Sequence, residues 1–585
     1  MFRYIYRKFI YKIDKILNKG FLHQVVFLIL FITIALIIIS TFVSLSFNFS
    51  FPNAFWQSLM QFIDTGNISS VEGDKKLVIT FLFVTFFGVF GWGLLIAMIN
   101  NSLQDRIKNL SKGNIFIMEK NHSIILGYGE EVFSIIEELK NGKVKNIVLL
   151  SEYDSNYIKK RIVFSKLNKK VNIIVREGNP SIIENLKLLN IKKAHSIAII
   201  SNDDTQSLKI LLSLKNFILN DYKDDDDKMN VSILVANKEN IEIIKSIQNE
   251  VENQFKIHII YKYEILYKII GQSMIYTGLS SVYEELFSYK CIDIKLEDKH
   301  NYENYTFNEV ALKYMENKMI LFGIINEEYP LYIPDKNYKI QKTDTLTLFH
   351  SNDDNTIEHR KIKDEDINYN HKVLLILDNN KEKEVINEIT YYINREDIIK
   401  TYYKDIEEED SKYNFLFKKI KNNDITKIVL ISDHIETDIN TINILLIIRH
   451  IINKEKLNIS ILSLITSIEN RNLIFSEDIK DFIVSGKLIG TLIAHSLINP
   501  KILYLFENLL TKNGNDIIMI KAKDYFDFND KKTFEDIYNF FINKKSIPIG
   551  LKIQSNIILN PNKDIEVNDK YEIIIIVRDE DLLLS

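Results

Sequence analysis

Two uncharged apolar runs, residues 25–45 and 77–99, stand near the start of this 585-residue chain and limit what it can become. Each holds about 20 residues and, at about 1.5 Å rise per residue, crosses a hydrocarbon core of roughly 30 Å. Between them, residues 53–63 form a short amphipathic stretch that ends in Asp64-Thr65-Gly66-Asn67. That stretch is too short to span lipid. It enters a membrane only where protein buries it or water lines it. Helix, half-helix, polar turn, helix is the layout of a pore subunit; an ordinary loop joining two anchor helices is the competing reading.

A selectivity filter needs oxygens fixed at a constriction, and rings of carboxylates favour cations over anions. Repeated around a symmetric axis, Asp64 makes such a ring. Gly66 permits a tight turn, Asn67 supplies amide oxygens or braces that turn, and Thr65 completes the filter segment. Trp56 and Phe62 anchor the half-helix. The Thr-Val-Gly-Tyr-Gly run of potassium filters and an Arg-repeat voltage sensor are both missing, so strict potassium selectivity and voltage gating are not implied. Gly88, Gly91 and Gly93 cluster in the second run, where glycine serves either as a gating hinge or as a close-packing surface.

Residues 1–20 interleave basic and apolar side chains as a basic amphipathic interfacial helix does at an anionic membrane face. Arg106, Lys108 and Lys112 follow the second run, and these basic flanks put both termini on the cytoplasmic side. A formal charge of −4 argues against a nucleic-acid partner. A single cysteine, Cys291, excludes an internal disulfide and a cysteine zinc site. The octet DYKDDDDK at 221–228 is identical to a common epitope tag; it reads as solvated and carries no functional weight.

Beyond the pore segment (21–113, with a linker at 104–113) the texture changes. Short Ile/Val/Leu runs at 123–126, 146–150, 171–175, 196–200 and 231–235 alternate with helix-length amphipathic segments, the pattern of a doubly wound, Rossmann-like parallel sheet. This first α/β unit covers 114–290 and closes on a long helical connection over 263–289. A small β-rich subdomain at 291–352 follows, with strands at 292–296, 320–325, 331–333 and 345–349. Residues 353–370 read as a charged linker. The second half repeats the first, with an α/β unit at 371–510 and a small subdomain at 511–585. SIAIISNDD (196–204) and KIVLISD (427–433) are both apolar strands closing on Ile-Ser and an acid, the mark of domain duplication.

Gly127-Tyr128-Gly129 follows a strand and opens a helix, as a dinucleotide turn does, and Glu152 lies where an acid meets ribose hydroxyls. The third glycine position holds Val132 or Phe133, so a degenerate turn kept for its geometry is an equal alternative. The matching turn of the second unit, from Asp378, has no glycine, and its carboxylate repels phosphate. Asp203, Asp204, Asp433, Glu436 and Asp438 carry the hard oxygens that Ca²⁺ takes, without EF-hand spacing; solvated loop charge is the competing reading. No paired-carboxylate or Ser/His/Asp arrangement stands out, which argues against an enzyme.

The stretch FIDTGN, then SLQDRIKNLSKG, NHSIILGYGEEVFSIIEEL and REGNPSIIENLKLLNIKKAHSIAIIS, resembles the plant CASTOR/POLLUX/DMI channels and their bacterial relatives. The resemblance returns in NILLIIRHI, ENRNLI, DFIVSGKLIGTLIAHSLINP and FENLLTKNGND. It implies a homotetrameric cation channel whose RCK-type cytosolic domains, eight α/β units in all, form a gating ring beneath the pore. It also implies a filter at Asp64, Gly66 and Asn67, a permeant cation, and Ca²⁺ as a plausible regulator, with a nucleotide at the first unit as the other ligand to test. The expected setting is a plasma (inner) membrane crossed by both spans. Two rivals are a membrane-tethered NAD-dependent enzyme and the regulatory subunit of a potassium uptake system.

Overall fold

The computed structural model describes residues 21–64, 66, 75–112, 116–221, 229–251, 254–298, 300–326, 333–351, 372–378, 382–432, 435–473, 481–510, 514–553 and 556–578. The basic segment 1–20, Thr65, Asn67, the linker 353–370, Asp433 and all but the first residue of the 221–228 octet lie outside these residues. The chain divides into two compact units, 1–114 and 115–585.

In the first unit, the helices Phe21–Phe47 and Lys75–Lys112 flank the short helix Phe51–Ile63. At 27 residues the first helix is about 40 Å long, enough to cross a bilayer. Only 17% of each apolar window is buried, so neither is the core helix of a soluble domain. Pro52 in the first turn of the short helix suits a helix start, where the missing N–H costs nothing. One side of each helix closes on the others through Leu36, Val43, Ala54, Phe62, Phe81 and Val84, while Ile38, Phe83 and Phe90 face outward. The second span runs on unbroken through residue 112, so most of the 104–113 linker is helix. Its Leu, Gln, Arg and Lys residues are good helix formers.

The second unit opens with β1 (His122–Tyr128), β2 (Asn146–Ser151), β3 (Asn172–Glu177), β4 (Ala194–Ser201), β5 (Met229–Val235) and β6 (Phe255–Tyr261). They form one parallel sheet in the order β3-β2-β1-β4-β5-β6, the doubly wound arrangement whose switch point lies between β1 and β4. β6 is a strand the sequence reading lacks. Polar Lys256 and His258 alternate with its apolar residues, and it runs into a helix with no Gly or Pro between. An antiparallel sheet of β7 (Ile292–Glu297), β8 (Met319–Ile325) and β9 (Thr345–Ser351), in the order β7-β9-β8, completes the half. Of the strand expected at 331–333, Ile333 is described and is not in a strand.

The second half repeats this with one parallel strand fewer. β10 (Val373–Leu377), β11 (Ile398–Tyr402), β12 (Lys427–Ile431), β13 (Ser460–Ile465) and β14 (Asp481–Val484) run β11-β10-β12-β13-β14. β15 (Asp516–Lys521), β17 (Ile547–Ile553), β18 (Asn556–Leu559) and β20 (Glu572–Val577) then form an antiparallel sheet in the order β15-β20-β17-β18, beside the pair β16 (Lys532–Thr533) and β19 (Glu566–Val567). The duplication reaches single residues. Helix Phe307–Glu316 starts with a Thr306/Glu309 capping box and helix Phe534–Ile542 with a Thr533/Asp536 box. β8 and β17 both shift register just before a glycine, Gly323 and Gly550.

The halves exchange helices. The long connection expected at 263–289 is two helices, Lys262–Ile275 and Leu279–Leu286, broken where Gly278 adopts φ +93°. Its counterpart is Ser485–Ile498 and Lys501–Leu510, broken at Asn499-Pro500. Helix Ser485–Ile498 packs on the first half's helix Glu131–Asn141 and on β4 and β5. Helix Lys262–Ile275 packs on the second half's helix Glu382–Ile389 and on β13. Helix Ser485–Ile498 is buried on nearly every side, as an all-round apolar helix must be. Gly490 allows the approach: a Cβ there would lie 2.7 Å from both the Glu131 carbonyl oxygen and Ser134 Cβ. One apolar core therefore runs from Ile135 and Leu139 through Leu488 and Leu492 into the second half.

Candidate functional site

The short helix ends where Asp64 N donates to the Met60 carbonyl at 2.8 Å. Asp64 Oδ1 then accepts from Gly66 N at 2.8 Å in an Asx turn, and Asp64 itself is exposed. Phe62 is packed as expected from its apolar face, being 8% exposed, whereas Trp56 is 60% exposed.

The three glycines of the second span differ from one another. A Cβ at Gly88 would lie 2.3 Å from the Phe62 carbonyl oxygen, and one at Gly91 would lie 3.0 Å from the Phe62 ring. Both positions are close-approach surfaces for the short helix, and the span is helical across them. Gly93 has nothing within 4 Å of its Cβ direction. Of the three candidate hinges, it alone is not committed to packing.

Two residues absent from the sequence reading join this site. Gln61 is 2% exposed, and its side-chain amide lies 3.3 Å from the Thr85 hydroxyl of the second span. Their signal was legible: polar side chains set among apolar neighbours, one on the short helix and one on the second span.

At the β1–β4 switch point, Gly127 adopts φ +99° with a Cβ position 2.0 Å from the Ile200 carbonyl oxygen, so only glycine fits. Gly129 faces a different neighbour. Its Cβ position is 2.6 Å from Glu131 Oε2, and Glu131 is the first residue of the helix that opens here. Glu131 Oε1 also meets Lys262 Nζ at 3.1 Å, with the carboxylate side chain 3% exposed. A carboxylate and its counter-ion thus stand at the helix N-terminus, the place where a bound phosphate would gather backbone N–H groups. Beside them the Tyr128 and Tyr153 rings lie 4.3 Å apart, and Glu152 is exposed at the end of β2.

Arg161 closes the crevice toward the second half. Its guanidinium lies 4.1 Å over the Phe133 ring, donates to the Tyr128 hydroxyl at 3.3 Å and pairs with Glu469 at 2.8 Å. Burial raises the Tyr128 phenol to about 12 and pushes the Glu130 carboxyl up, with Arg161 opposing both shifts.

The acidic candidates separate cleanly. Asp204 Oδ1 accepts from Ala236 N at 2.9 Å, and Oδ2 accepts from Asn237 N and Asn240 Nδ2 at 2.8 Å each. Asp438, fully buried, accepts from Thr466 N, Ser467 N and Asn470 Nδ2 at 2.9–3.1 Å and from Ser432 Oγ at 2.8 Å. In both halves the same acid pins the end of the next strand through two consecutive N–H groups and an Asn four residues after the first. These carboxylates are structural clasps. Asp203 Oδ1 accepts from Thr205 N at 3.0 Å in an exposed turn. Glu436 begins a helix with Ile435. Among the described residues, no group of three or more His, Cys, Asp or Glu is placed to hold a metal.

No protein-family model matches the chain. Among curated proteins it is similar to the ion channel DMI1 of Medicago truncatula, 20% identical over 317 residues, covering 52% of this chain and 35% of that protein. It is 20% identical to the ion channel CASTOR of Lotus japonicus over 313 residues, 51% of this chain and 35% of that protein. The ion channel POLLUX of Lotus japonicus is 19% identical over 317 residues, 52% of this chain and 33% of that one. The chain thus spans about a third of the length of the curated relatives it matches. Among solved structures, the human SLO3 gating ring shares the fold, with a TM-score of 0.55 at 14% identity over 78% of this chain and 99% of that one. The GsuK channel bound to NAD aligns over 96% of this chain and 98% of that one, at 12% identity and a TM-score of 0.39.

Proposed function

We propose that this chain, whose curated relatives are the CASTOR/POLLUX/DMI1 ion channels, is itself a ligand-gated cation channel. The observation that carries the reading is the first unit. Two outward-apolar helices of membrane length bracket a short helix whose C-terminus presents Asp64 on a tight turn. Among the described residues one copy packs its three helices on each other, and the passage we propose is made by several copies about an axis. Four is the number proposed, placing four Asp64 carboxylates at the constriction with Thr65, Gly66 and Asn67.

The two α/β halves of each copy form the regulatory ring, eight units in all. Exposed Leu212 and Leu446 support its assembly. Each stands eight residues after its half's clasp acid, Asp204 or Asp438, on the helix that follows β4 or β12, and they are 42% and 50% exposed. A ligand that binds one ring conformation better than another shifts the pore by that difference alone. Glu131 and Lys262 stand where a phosphate would bind at the first-half turn. We therefore place the regulatory ligand elsewhere, with Ca²⁺ as the regulator and Asp204 and Asp438 excluded from its shell. Basic residues flanking the spans favour cytoplasmic termini, and the location we propose is a plasma membrane. The relatives and the gating-ring neighbour are channel proteins, and no observation favours the dehydrogenase or uptake-regulator rivals.

The test is cation flux through the purified full chain in liposomes. The parent conducts, and Asp64→Ala abolishes conduction or changes its ion preference. Absence of flux from the parent, or identical preference in Asp64→Ala, refutes the reading.

A further inference from the structure

The Asp64 turn is held from behind, and the residues that hold it belong to neither the turn nor any ligand site. Gln61 precedes Asp64 by three residues, within the closed turn formed by the Asp64 N to Met60 O bond at 2.8 Å. Its side chain is enclosed between the short helix and the second span, where it meets the Thr85 hydroxyl at 3.3 Å. That hydroxyl also lies 2.9 Å from the Phe81 carbonyl. A hydroxyl has one proton. Gln61 Oε1 faces that hydroxyl, so the single proton is shared between the amide oxygen and the Phe81 carbonyl.

One residue on, the Phe62 carbonyl rests on Gly88, so closely that a methyl group there would stand 2.3 Å from the oxygen. The two contacts are three residues apart on the short helix's partner, at Thr85 and about one turn later at Gly88, and they grip consecutive residues. Their types differ: the first is directional and polar, the second a steric stop. Together they fix both the rotation of the helix end and its distance from the span. In a medium with no competing water, an unpaired amide has no cheap alternative partner, so the bracket keeps its geometry.

We infer that Gln61, Thr85 and Gly88 are positioning residues that set ion preference by fixing where the Asp64 carboxylate stands. The inference rests on the pore reading above. A carboxylate ring discriminates by its radius and field, and a shift at Gln61 or Phe62 reaches Asp64 through a single hydrogen-bonded turn.

The experiment measures reversal potentials of the reconstituted full chain under bi-ionic K⁺/Na⁺ and K⁺/Ca²⁺ gradients. Thr85→Val keeps the shape and removes the hydroxyl; it is expected to change a permeability ratio several-fold. Thr85→Ser keeps the hydroxyl and restores the parental ratio, which a purely structural loss would not do. Gly88→Ala displaces Phe62 and also changes the ratio. Each variant must elute as the parental species in detergent; where Thr85→Val does not, Gln61→Met carries the same comparison. Parental ratios in both the hydroxyl-loss variant and Gly88→Ala overturn the inference while leaving the pore reading intact. A parent that conducts no cation overturns the pore reading itself.

Discussion

Replacing Asp438 tests whether the clasp between β12 and β13 carries stability. Its two carboxylate oxygens face only donors: Ser432 Oγ and Thr466 N at one, and Thr466 N, Ser467 N and Asn470 Nδ2 at the other. Asp438→Ala strands two buried backbone N–H groups. At about 1–3 kcal/mol for each unsatisfied buried group, the loss is about 2–6 kcal/mol. Asp438→Asn keeps the shape but turns an NH₂ toward donors, so it recovers little. Asp204 holds the matching two N–H groups and Asn side chain in the first half but is only partly buried, and water takes over its donors. Its Ala variant should lose about 0.5–1.5 kcal/mol, the ordinary net worth of such bonds. Thermal unfolding of the full chain in detergent reads the difference, with the first transition falling by about 5 °C or more for Asp438→Ala and by less for Asp204→Ala. Equal shifts for the two variants, or an Asp438→Asn chain as stable as the parent, would refute the assignment.

Three further outcomes follow from the geometry. Burial holds the enclosed His495 imidazole down to about 4, its bond to the Phe287 carbonyl opposing, against about 6.5 in the unfolded chain. The neutral form is therefore the folded one. Its stability is whole above about pH 6.5 and falls by up to roughly 3 kcal/mol as pH drops to about 4, and His495→Gln should flatten that acid limb of a melting-temperature profile. Gly490→Ala places a methyl against the Glu131 backbone and should cost about 1–3 kcal/mol, whereas Gly93→Ala meets open space and should leave thermal stability at or above the parent's. Leu212→Glu with Leu446→Glu should dissociate the assembly, read as a smaller particle by light scattering in detergent; an unchanged mass would remove those faces from the ring.

What the amino-acid order made legible was local. β1, β4 and β12 are unbroken apolar strands bounded by polar turns, and the shared Ile-Ser-acid endings already paired the halves. Asp204 and Asp438 read as loop charge because the amides they hold lie about 30 residues further on, reached only once the parallel strands are side by side. Gly88 and Gly91 read equally as hinges because the partner that needs them small, Phe62, belongs to another helix. The Gly127 turn looked open to a phosphate because nothing in its spacing shows that the Glu131 carboxylate folds back over Gly129. The helix exchange was illegible for the same reason, since each exchanged helix finds its apolar partner in the opposite half.

That exchange changes what a peptide bond between the halves is needed for. Each half has donated a helix to the other's core, so among the described residues the halves hold each other through those exchanged helices and not through the backbone that links them. A chain severed there would stay clasped, and two fragments made side by side would find each other as a heterodimer. Either one made alone would be left holding an empty slot and an orphaned greasy rod.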